Sequence, residues 1–199
     1  YQGPSGRLAP LDLEVLPGTS LGIYGPAGMG KSTLAELVLG VRRPTSGTVS
    51  RDGIPVERLA PEEVYEEAVL LRVGAIVQGR LEDNLVMGAE VSADALWAAL
   101  AEVELEAAVK GLPEGLNTQL GAAGEPLSES RAVDLQVARA LLVSPRLVAV
   151  DGLLDGLSPS HRVRLLTCLR HGGATLVVLT EDRALAELCD RSMALRGVR

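Results

Sequence analysis

Gly25-Pro26-Ala27-Gly28-Met29-Gly30-Lys31-Ser32-Thr33 is the stretch that decides the fold, because it fits the pattern G-x-x-x-x-G-K-[ST] of a phosphate-binding loop. The apolar run at 21–24 predicts a buried strand before the loop, and a helical pattern follows at 32–39. In such a strand–loop–helix unit, backbone N–H groups point inward and the helix N-terminus adds partial positive charge. The sequence therefore predicts a site for phosphate groups at this loop.

Two side chains of the loop and one carboxylate farther along predict how a nucleotide would be held. Lys31 is expected to reach the β- and γ-phosphates, and the Ser32 hydroxyl is expected to help hold Mg²⁺. Asp151 ends an apolar run, the position at which P-loop NTPases carry a further Mg²⁺ carboxylate. Two alternatives stay open: a glycine-rich turn without a ligand, and a helix or turn cap at Asp151. ATP and Mg²⁺ are the predicted cofactors.

The composition is that of a globular α/β domain. The 199 residues are 47% hydrophobic and 23% charged, which provides for an ample core. A net charge of −7 disfavours nucleic acid as a partner, because such binders normally carry a basic face. No apolar run is long enough to span a bilayer, so we expect this part to be soluble by itself. Cys168 and Cys189 are too few for a disulfide framework, and reduced buried thiols are expected.

Residue patterning predicts the remaining elements of the fold. Alternating residues at 8–16, and a short strand at 48–53 that ends in an Asp-Gly turn, predict a small antiparallel sheet. Helical periodicity predicts helices at 93–109, 132–142 and 183–189. Apolar runs predict buried strands at 146–151 and 175–179, so that the whole pattern is one of mixed α and β structure.

Several further motifs add to the phosphate-binding loop. Gln78 follows an apolar run, LEDNLVMG stands at 81–88, LPEGLNT stands at 112–118, and Leu127-Ser128 precede a helical pattern. With these motifs the chain resembles the nucleotide-binding domain of an exporter-type ABC transporter over nearly its whole length. The stretches at 81–88 and 112–118 are similar to exporter motifs that importers usually lack. Since the chain begins at Tyr1 and not at Met, we expect an excised piece of a longer protein.

The resemblance implies an α/β fold with a P-loop NTPase, RecA-like core. This core would contain a mostly parallel sheet, accompanied by a small antiparallel β-subdomain and an α-helical subdomain. The implied organisation is a single domain over 1–199. Its core would lie at about 17–43 and 143–199, its β-subdomain at about 1–16 and 44–57, and its helical subdomain at about 79–142.

The resemblance also implies three sets of site residues. The implied ATP ligands are Tyr1, which would stack on adenine, and Gly25, Pro26, Ala27, Gly28, Met29, Gly30, Lys31, Ser32, Thr33 and Gln78. The implied Mg²⁺ ligands are Ser32, Gln78 and Asp151. The implied signature segment, which would face the nucleotide of a partner domain, is Leu127, Ser128, Glu129, Ser130 and Arg131.

Four departures from the family pattern fall at positions that serve catalysis. Glu129 puts bulk and negative charge where a signature glycine is usual, and Arg131 restores charge without the same geometry. Gly152 replaces the catalytic glutamate, and Glu181 stands at the position of the H-loop histidine. Asp155 begins a D-loop that is also unusual. Glycine cannot orient or deprotonate water, and a carboxylate beside a γ-phosphate repels it, so no catalytic position is intact.

We therefore predict that this domain is the degenerate half of a pair of nucleotide-binding domains, and that it binds Mg-ATP and hydrolyses it poorly or not at all. Its predicted partners are a transmembrane domain of the same transporter and a second, non-identical nucleotide-binding domain, at the cytoplasmic face of the cell membrane. One alternative is an active ATPase in which Glu181 or Asp155 serves as the base. Another is a stand-alone regulatory P-loop module or a small-molecule kinase, for which Gln78 and Leu127-Ser128 would be coincidences.

Overall fold

The structure is a computed structural model that describes residue 8, residues 10–60 and residues 67–195. The described residues form two compact units. The first comprises those within Tyr1–Arg72, Pro145–Gly156 and Gly173–Arg199, and the second comprises Val73–Ser144 and Leu157–Gly172. Residues 157–172, which the resemblance assigned to the core, have most of their contacts within the second unit. Within the described residues, no helix has the length and apolar character needed to cross a membrane.

The first unit is built on a sheet of five parallel strands. In sequence order the strands are β1 Ser20–Tyr24, β4 Ala68–Arg72, β7 Leu147–Asp151, β8 Thr175–Thr180 and β9 Arg191–Ala194. Their order across the sheet is β4-β7-β8-β1-β9, with β1, β7 and β8 in the interior. Tyr24 pairs with Thr180, and Asp151 pairs with Leu179, so these strands end at one common edge. The predicted mostly parallel sheet is confirmed.

Both faces of this sheet are covered. Helix α1 (Lys31–Val38) places Leu34 and Ala35 in a buried cluster with alternate residues of β1, β7 and β8. On the opposite face of β1, a Cβ added at Gly22 would lie 2.2 Å from the carbonyl oxygen of Ala186 in helix α7 (Arg183–Ala186). Glycine is therefore required at position 22, because it lets α7 approach the strand backbone. Helix α7 ends three residues before the predicted end at 189.

The small antiparallel sheet is shorter than predicted. Strands β2 (Ser50–Arg51) and β3 (Ile54–Pro55) pair across Asp52 and Gly53, whose φ angles of 51° and 80° suit a tight hairpin. Residue 8 forms an isolated β-bridge, whereas residues 10–16 form no strand, so the prediction of a strand at 8–16 was wrong over 10–16. The alternation there reflects packing, because the odd-numbered apolar residues lie against the core without a partner strand. These residues are Leu11, Leu13 and Val15.

The second unit is mostly helical, as the resemblance implied. Its helices are α2 Leu81–Val86, α3 Ala93–Glu102, α4 Glu106–Lys110, α5 Glu129–Val143 and α6 Pro159–His171. Helix α5 packs against α2, α3 and α6 and forms the centre of the unit. A short antiparallel pair, β5 (Gly79–Arg80) with β6 (Gln119–Leu120), completes it. The helix predicted at 93–109 is interrupted at 103–105, and both cysteines are buried and free, as predicted.

Candidate nucleotide-binding site

The glycine loop between β1 and α1 has the backbone conformation that its sequence predicted. Gly28 and Gly30 have φ angles of 77° and 89°, in the left-handed region that other residues rarely adopt. Gly30 is the N-cap residue of α1, and its carbonyl accepts the first helical hydrogen bond from Leu34 N at 2.8 Å. These two glycines turn the chain sharply from the strand into the helix. The turn puts the start of α1 at the common edge of the sheet.

The N-terminus of α1 is open to an anion. No side chain caps this helix, and its first turn contains no acidic residue. A Cβ added at Gly28 would meet no atom within 4 Å, so there is free space beside the loop. The first N–H groups of a helix need a partner, and the helix dipole makes a negatively charged partner favourable. The loop therefore fits the phosphate groups of a nucleotide.

Lys31 brings the positive charge of the site to the mouth of the loop. Its Nζ donates hydrogen bonds to the carbonyl oxygens of Gly25 at 2.7 Å and Pro26 at 2.9 Å. The side chain is only 10% exposed, so the ammonium is held over the loop rather than extended into water. This position suits a direct contact with a phosphate that the loop amides bind.

Glu181 lies beside this lysine. One of its carboxylate oxygens is 3.6 Å from Lys31 Nζ, and its side chain is 58% exposed. The residue follows β8 directly, and β8 pairs with β1, so the sheet register brings position 181 next to the glycine loop. The sequence analysis placed Glu181 near the phosphates by resemblance, and the ion pair with Lys31 is a contact that it did not predict.

Asp151 is the last residue of the neighbouring strand β7, and Gly152 follows it directly. Asp151 is partly exposed at the same edge of the sheet, and Gly152 N donates to the carbonyl of Leu179 at 2.9 Å. Gly152 has a φ of 66°, so a residue with a side chain would be strained there. The glycine at the usual position of the catalytic glutamate is thus matched to its local backbone.

Both carboxylate oxygens of Asp155 accept hydrogen bonds from the end of β8 and the turn after it. Its Oδ1 accepts a hydrogen bond from Thr180 Oγ at 2.5 Å, and its Oδ2 accepts one from Glu181 N at 3.2 Å. Thr180 is fully buried and its hydroxyl also accepts from Asp182 N at 2.9 Å. Sequence reasoning missed Thr180, for which the only local signal is a hydroxyl residue at the end of an apolar strand. With both oxygens engaged, Asp155 acts as a structural group in this conformation.

The oxygen groups at this edge suit Mg²⁺. Ser32 is exposed in the first turn of α1, and Asp151 is the carboxylate at the last position of β7. Among the described residues no group of three or more His, Cys, Asp and Glu side chains converges as a metal cage. Mg²⁺ usually keeps several waters and is held by one or two protein oxygens together with phosphate groups. Ser32 and Asp151 could supply those protein oxygens.

Gln78 belongs to the second unit, where side-chain hydrogen bonds fix the backbone just before it. The buried side chain of Asn84 accepts from Val77 N at 2.8 Å and donates to Val77 O at 2.7 Å. Arg139, on α5, donates to the carbonyl of Ala75 at 3.0 Å. Gln78 itself is exposed. The motif at 81–88 therefore contains a residue, Asn84, whose side chain orients the backbone next to the predicted magnesium ligand.

The predicted signature segment forms the start of α5 in the second unit. Leu127 is buried, and Ser128 is the N-cap residue, whose Oγ accepts from Arg131 N at 3.4 Å. Glu129 lies in the first turn and is exposed, and Ser130 Oγ is 3.2 Å from Ser128 Oγ. This helix end is thus capped by its own side chains. Tyr1, the predicted adenine contact, lies outside the described residues.

The first unit has the features that define P-loop nucleotide-binding proteins. A buried parallel strand leads through a glycine loop into an uncapped helix, a lysine lies over the loop, and a carboxylate ends a nearby strand. These features together suit the phosphate groups of a nucleotide.

The chain belongs to the ABC transporter family, whose profile matches residues 8–153. It is 30% identical over 184 residues to a multidrug resistance ABC transporter ATP-binding and permease protein of Lactococcus lactis, covering 89% of this chain and 31% of that one. It is 31% identical over 197 residues to the mycobactin import ATP-binding/permease protein IrtB of Mycolicibacterium thermoresistibile, covering 86% and 34%. The chain thus spans about a third of the length of these relatives.

A solved structure has the same fold. It is that of a bacterial Atm1-family ABC exporter with ATP bound, and it matches with a TM-score of 0.81 at 21% identity. The match covers 90% of this chain and 32% of that chain. The α/β fold predicted from the sequence is therefore confirmed. The predicted family is confirmed by the family profile and by the two relatives.

Proposed function

We propose that this domain binds Mg-ATP in an exporter-type ABC transporter and hydrolyses it poorly or not at all. The observation that carries the proposal is the pairing of an open phosphate cradle with a missing base. Helix α1 begins at Lys31 without a side-chain cap, so its first N–H groups are open to phosphate. The usual position of the catalytic base is Gly152, which has a φ of 66°. The site keeps what binding needs and lacks the group that usually activates water.

The proposed ligands follow from the geometry and from the family resemblance. The loop geometry supports residues 25–33 as the phosphate ligands. The family resemblance alone supports Tyr1 as the adenine contact and Gln78 as a Mg²⁺ ligand. Bound Mg²⁺ would neutralise phosphate charge, and the Ser32 hydroxyl and Asp151 carboxylate would position it. Lys31 orients the β- and γ-phosphates by its charge and its position over the loop.

Loss of general-base assistance accounts for the weak hydrolysis. Such assistance is typically worth about 10²–10⁴ in rate, which corresponds to about 3–5 kcal/mol of barrier. Asp155 does not replace it in this conformation, because Thr180 and Glu181 N occupy its two oxygens. At the start of α5, Glu129 would add negative charge toward the nucleotide of a partner domain, which weakens that second site as well.

The proposed assembly contains partners that this chain does not itself supply. A transmembrane domain, fused or separate, and a second nucleotide-binding domain of different sequence would complete a transporter at the cytoplasmic face of the cell membrane. Two relatives carry names that join ATP-binding and permease functions, which supports the first partner. Within the chain, the proposed core is at about 17–43 and 143–199, the β-subdomain at about 1–16 and 44–57, and the helical subdomain at about 79–142.

A second candidate function is a slow ATPase that uses Glu181 as the base. The observation in its favour is the 3.6 Å contact between Glu181 and Lys31, which brings a carboxylate near the phosphate-binding lysine. ATP turnover by the assembled transporter that is abolished in Glu181→Gln would support this function. Turnover that is the same in the two proteins would exclude it.

The direct test of the proposed function is ATP affinity in the full chain with and without Lys31. Lys31→Ala removes a charge-assisted contact worth about 1.5–3 kcal/mol, so we expect ATP to bind about 10- to 100-fold more weakly. Lys110→Ala is the matched control, because Lys110 pairs with Glu106 at 2.6 Å on the surface of the second unit. Equal affinities for ATP in the wild type and Lys31→Ala would contradict the proposal.

A further inference from the structure

The electrostatic surroundings of Lys31 are unusual for a cation that has to bind a triphosphate. Its ammonium lies 3.6 Å from a Glu181 oxygen, and the carboxylates of Asp151 and Asp155 belong to the same sheet edge. Asp155 is engaged by the turn after β8, whereas the Glu181 side chain projects largely into solvent. Part of the positive charge of the loop is thus already balanced by a carboxylate of the chain itself.

We propose that Glu181 is a specificity-determining residue that lowers the preference of the site for a nucleoside triphosphate over a diphosphate. The inference rests on the proposed function, since it concerns nucleotide bound at residues 25–33. It adds a statement about which nucleotide the site retains, and its basis is the contact between Lys31 and Glu181 in the first unit.

The physical argument starts from the reach of Lys31. A phosphate oxygen that accepts a hydrogen bond from Nζ lies about 3 Å from it. The Glu181 oxygen is 3.6 Å from the same nitrogen, so the phosphate oxygen and the carboxylate are separated by at most about 7 Å. That distance is below the screening length of physiological salt, so the two negative groups repel each other appreciably.

This repulsion falls unequally on the two nucleotides. The γ-phosphate is a further negative group that ATP has and ADP lacks, and it lies at the end of the nucleotide that the loop lysine serves. The attraction between the γ-phosphate and Lys31 is weakened because Glu181 repels the same phosphate. The contacts of the loop amides with the inner phosphates are common to both nucleotides. Glu181 therefore weakens the binding of ATP more than that of ADP, which lowers the preference of the site for ATP.

Nearby cations do not remove this effect. Arg183 lies in the same unit, but its Nε donates to Glu187 at 2.7 Å and its guanidinium lies over the ring of Tyr24, 5.8 Å from the centroid. Asp182 caps the start of α7 by accepting from Ala184 N at 2.8 Å and adds negative charge next to Glu181. The Lys31 ammonium is the cation that the Glu181 carboxylate contacts within 4 Å among the described residues.

The test measures ATP and ADP affinities in the full chain for the wild type, Glu181→Gln and the control Glu187→Gln. Glu187 carries the same charge in the same unit but pairs with Arg183 on the surface. We expect Glu181→Gln to raise the ratio of the ADP to the ATP dissociation constant by about three- to tenfold, and Glu187→Gln to leave it unchanged. Higher salt is expected to shrink the difference. Thermal unfolding of each variant establishes that it is folded.

The outcomes separate this inference from the function on which it rests. An unchanged ratio in Glu181→Gln, with both nucleotides bound, overturns the inference and leaves the proposed function standing. Weaker ATP binding by Glu181→Gln in Mg²⁺, but not in EDTA, also overturns it, because Glu181 would then act through the metal. Failure of the wild type to bind either nucleotide overturns the proposed function and the inference together.

Discussion

The N-termini of α1 and α5 pose the same electrostatic problem, and the chain meets it in opposite ways. Helix α1 begins after Gly30 with no side-chain cap and no acidic residue in its first turn. Helix α5 begins after Ser128, whose Oγ accepts from Arg131 N at 3.4 Å, and Glu129 lies in its first turn. Both ends have N–H groups without a helical partner and a partial positive charge. At α1 the N–H groups and the charge remain open to a ligand. At α5 the side chains of Ser128 and Glu129 interact with them instead.

The difference shows how much stability a helix start loses when it is left open for a ligand. A side-chain cap contributes about 1 kcal/mol to stability, and an acidic residue in the first turn about 0.3–1 kcal/mol. Helix α1 forgoes both, so its start is less stable than the sequence could have made it, and a bound anion would restore the loss. Helix α5 is stabilised by its own residues, and Glu129 makes its start a poor site for a phosphate.

Making α1 resemble α5 should have the largest effect. Ser32 is exposed in the first turn of α1, and Ser32→Glu would put a carboxylate where the phosphates are expected. We expect ATP to bind at least about 100-fold more weakly, while the free energy of unfolding stays equal or rises by about 0.3–1 kcal/mol. Ser32→Gln, of the same size and neutral, is the control for lost hydroxyl and added bulk. Calorimetric titration and thermal unfolding measure the two quantities, and equal affinities in the two variants would break the comparison.

Removing the cap of α5 should have a smaller effect on stability. Ser128→Ala is expected to lower the free energy of unfolding by about 0.5–2 kcal/mol and to speed amide exchange at Arg131, whose N–H loses its acceptor. Ser130→Ala is the matched control, since Ser130 contacts the same hydroxyl at 3.2 Å without capping the helix. Denaturant unfolding and hydrogen exchange provide the measurements. If both variants lose the same stability, α5 is not held by the cap.

The interior strands of the first unit were predicted from the sequence, and the two edge strands were not. Strands β1, β7 and β8 are buried on both faces and appear as continuous apolar runs. Strand β9, with the sequence RSMA, lies at an edge and is mostly exposed, so its pattern resembles that of a loop. Strand β4, with the sequence AVLLR, forms the opposite edge, and its apolar run is a signal that the strand predictions left unused. Residue patterns report burial, and an edge strand is defined by pairing more than by burial.

The same distinction explains two local errors. Residues 10–16 alternate because every second side chain packs on the core, yet no strand pairs with them. The helix predicted at 93–109 breaks at Glu104, which has a φ of 59° although no glycine or proline marks the break. Its neighbours Val103 and Leu105 are fully buried, so tertiary packing, and not local propensity, fixes this turn.

The candidate site was predictable where it depends on one continuous stretch. The loop at 25–33 carries its glycines, lysine and serine together, so the sequence indicates both the conformation and the ligand. The contacts of Asp155 with Thr180 and of Lys31 with Glu181 join residues far apart in sequence. They depend on the parallel register of β1, β7 and β8, which a pattern of single residues does not encode. A hypothesis that Asp155 is a base could therefore be weighed only with the structure.

The smallest expected effect concerns a buried carboxylate on α5 and appears as a slope against pH. Asp134 is buried, its Oδ1 lies 2.5 Å from His161 Nε2 and 3.1 Å from an Arg164 nitrogen, and burial raises its pKa above 3.8 against the opposing pull of both partners. A carboxyl with a raised pKa in the folded state binds its proton more tightly there than in the unfolded chain. Its contribution to stability is thus complete below pH 3.8 and is lost as the pH rises through the folded pKa.

Asp134→Asn removes this titration, so the free energy of unfolding of the wild type relative to the variant should fall as the pH rises from below 3.8. The slope cannot exceed about 1.4 kcal/mol per pH unit, the limit for one proton. Denaturant unfolding across this range measures it, with Glu90→Gln as the exposed control. A difference that rises with pH would mean that the pairing with His161 and Arg164 outweighs burial. The ion pairs between Asp134 on α5 and its two partners on α6 would then stabilise the second unit, whereas the partial positive charge at the start of α1 stays available for a ligand.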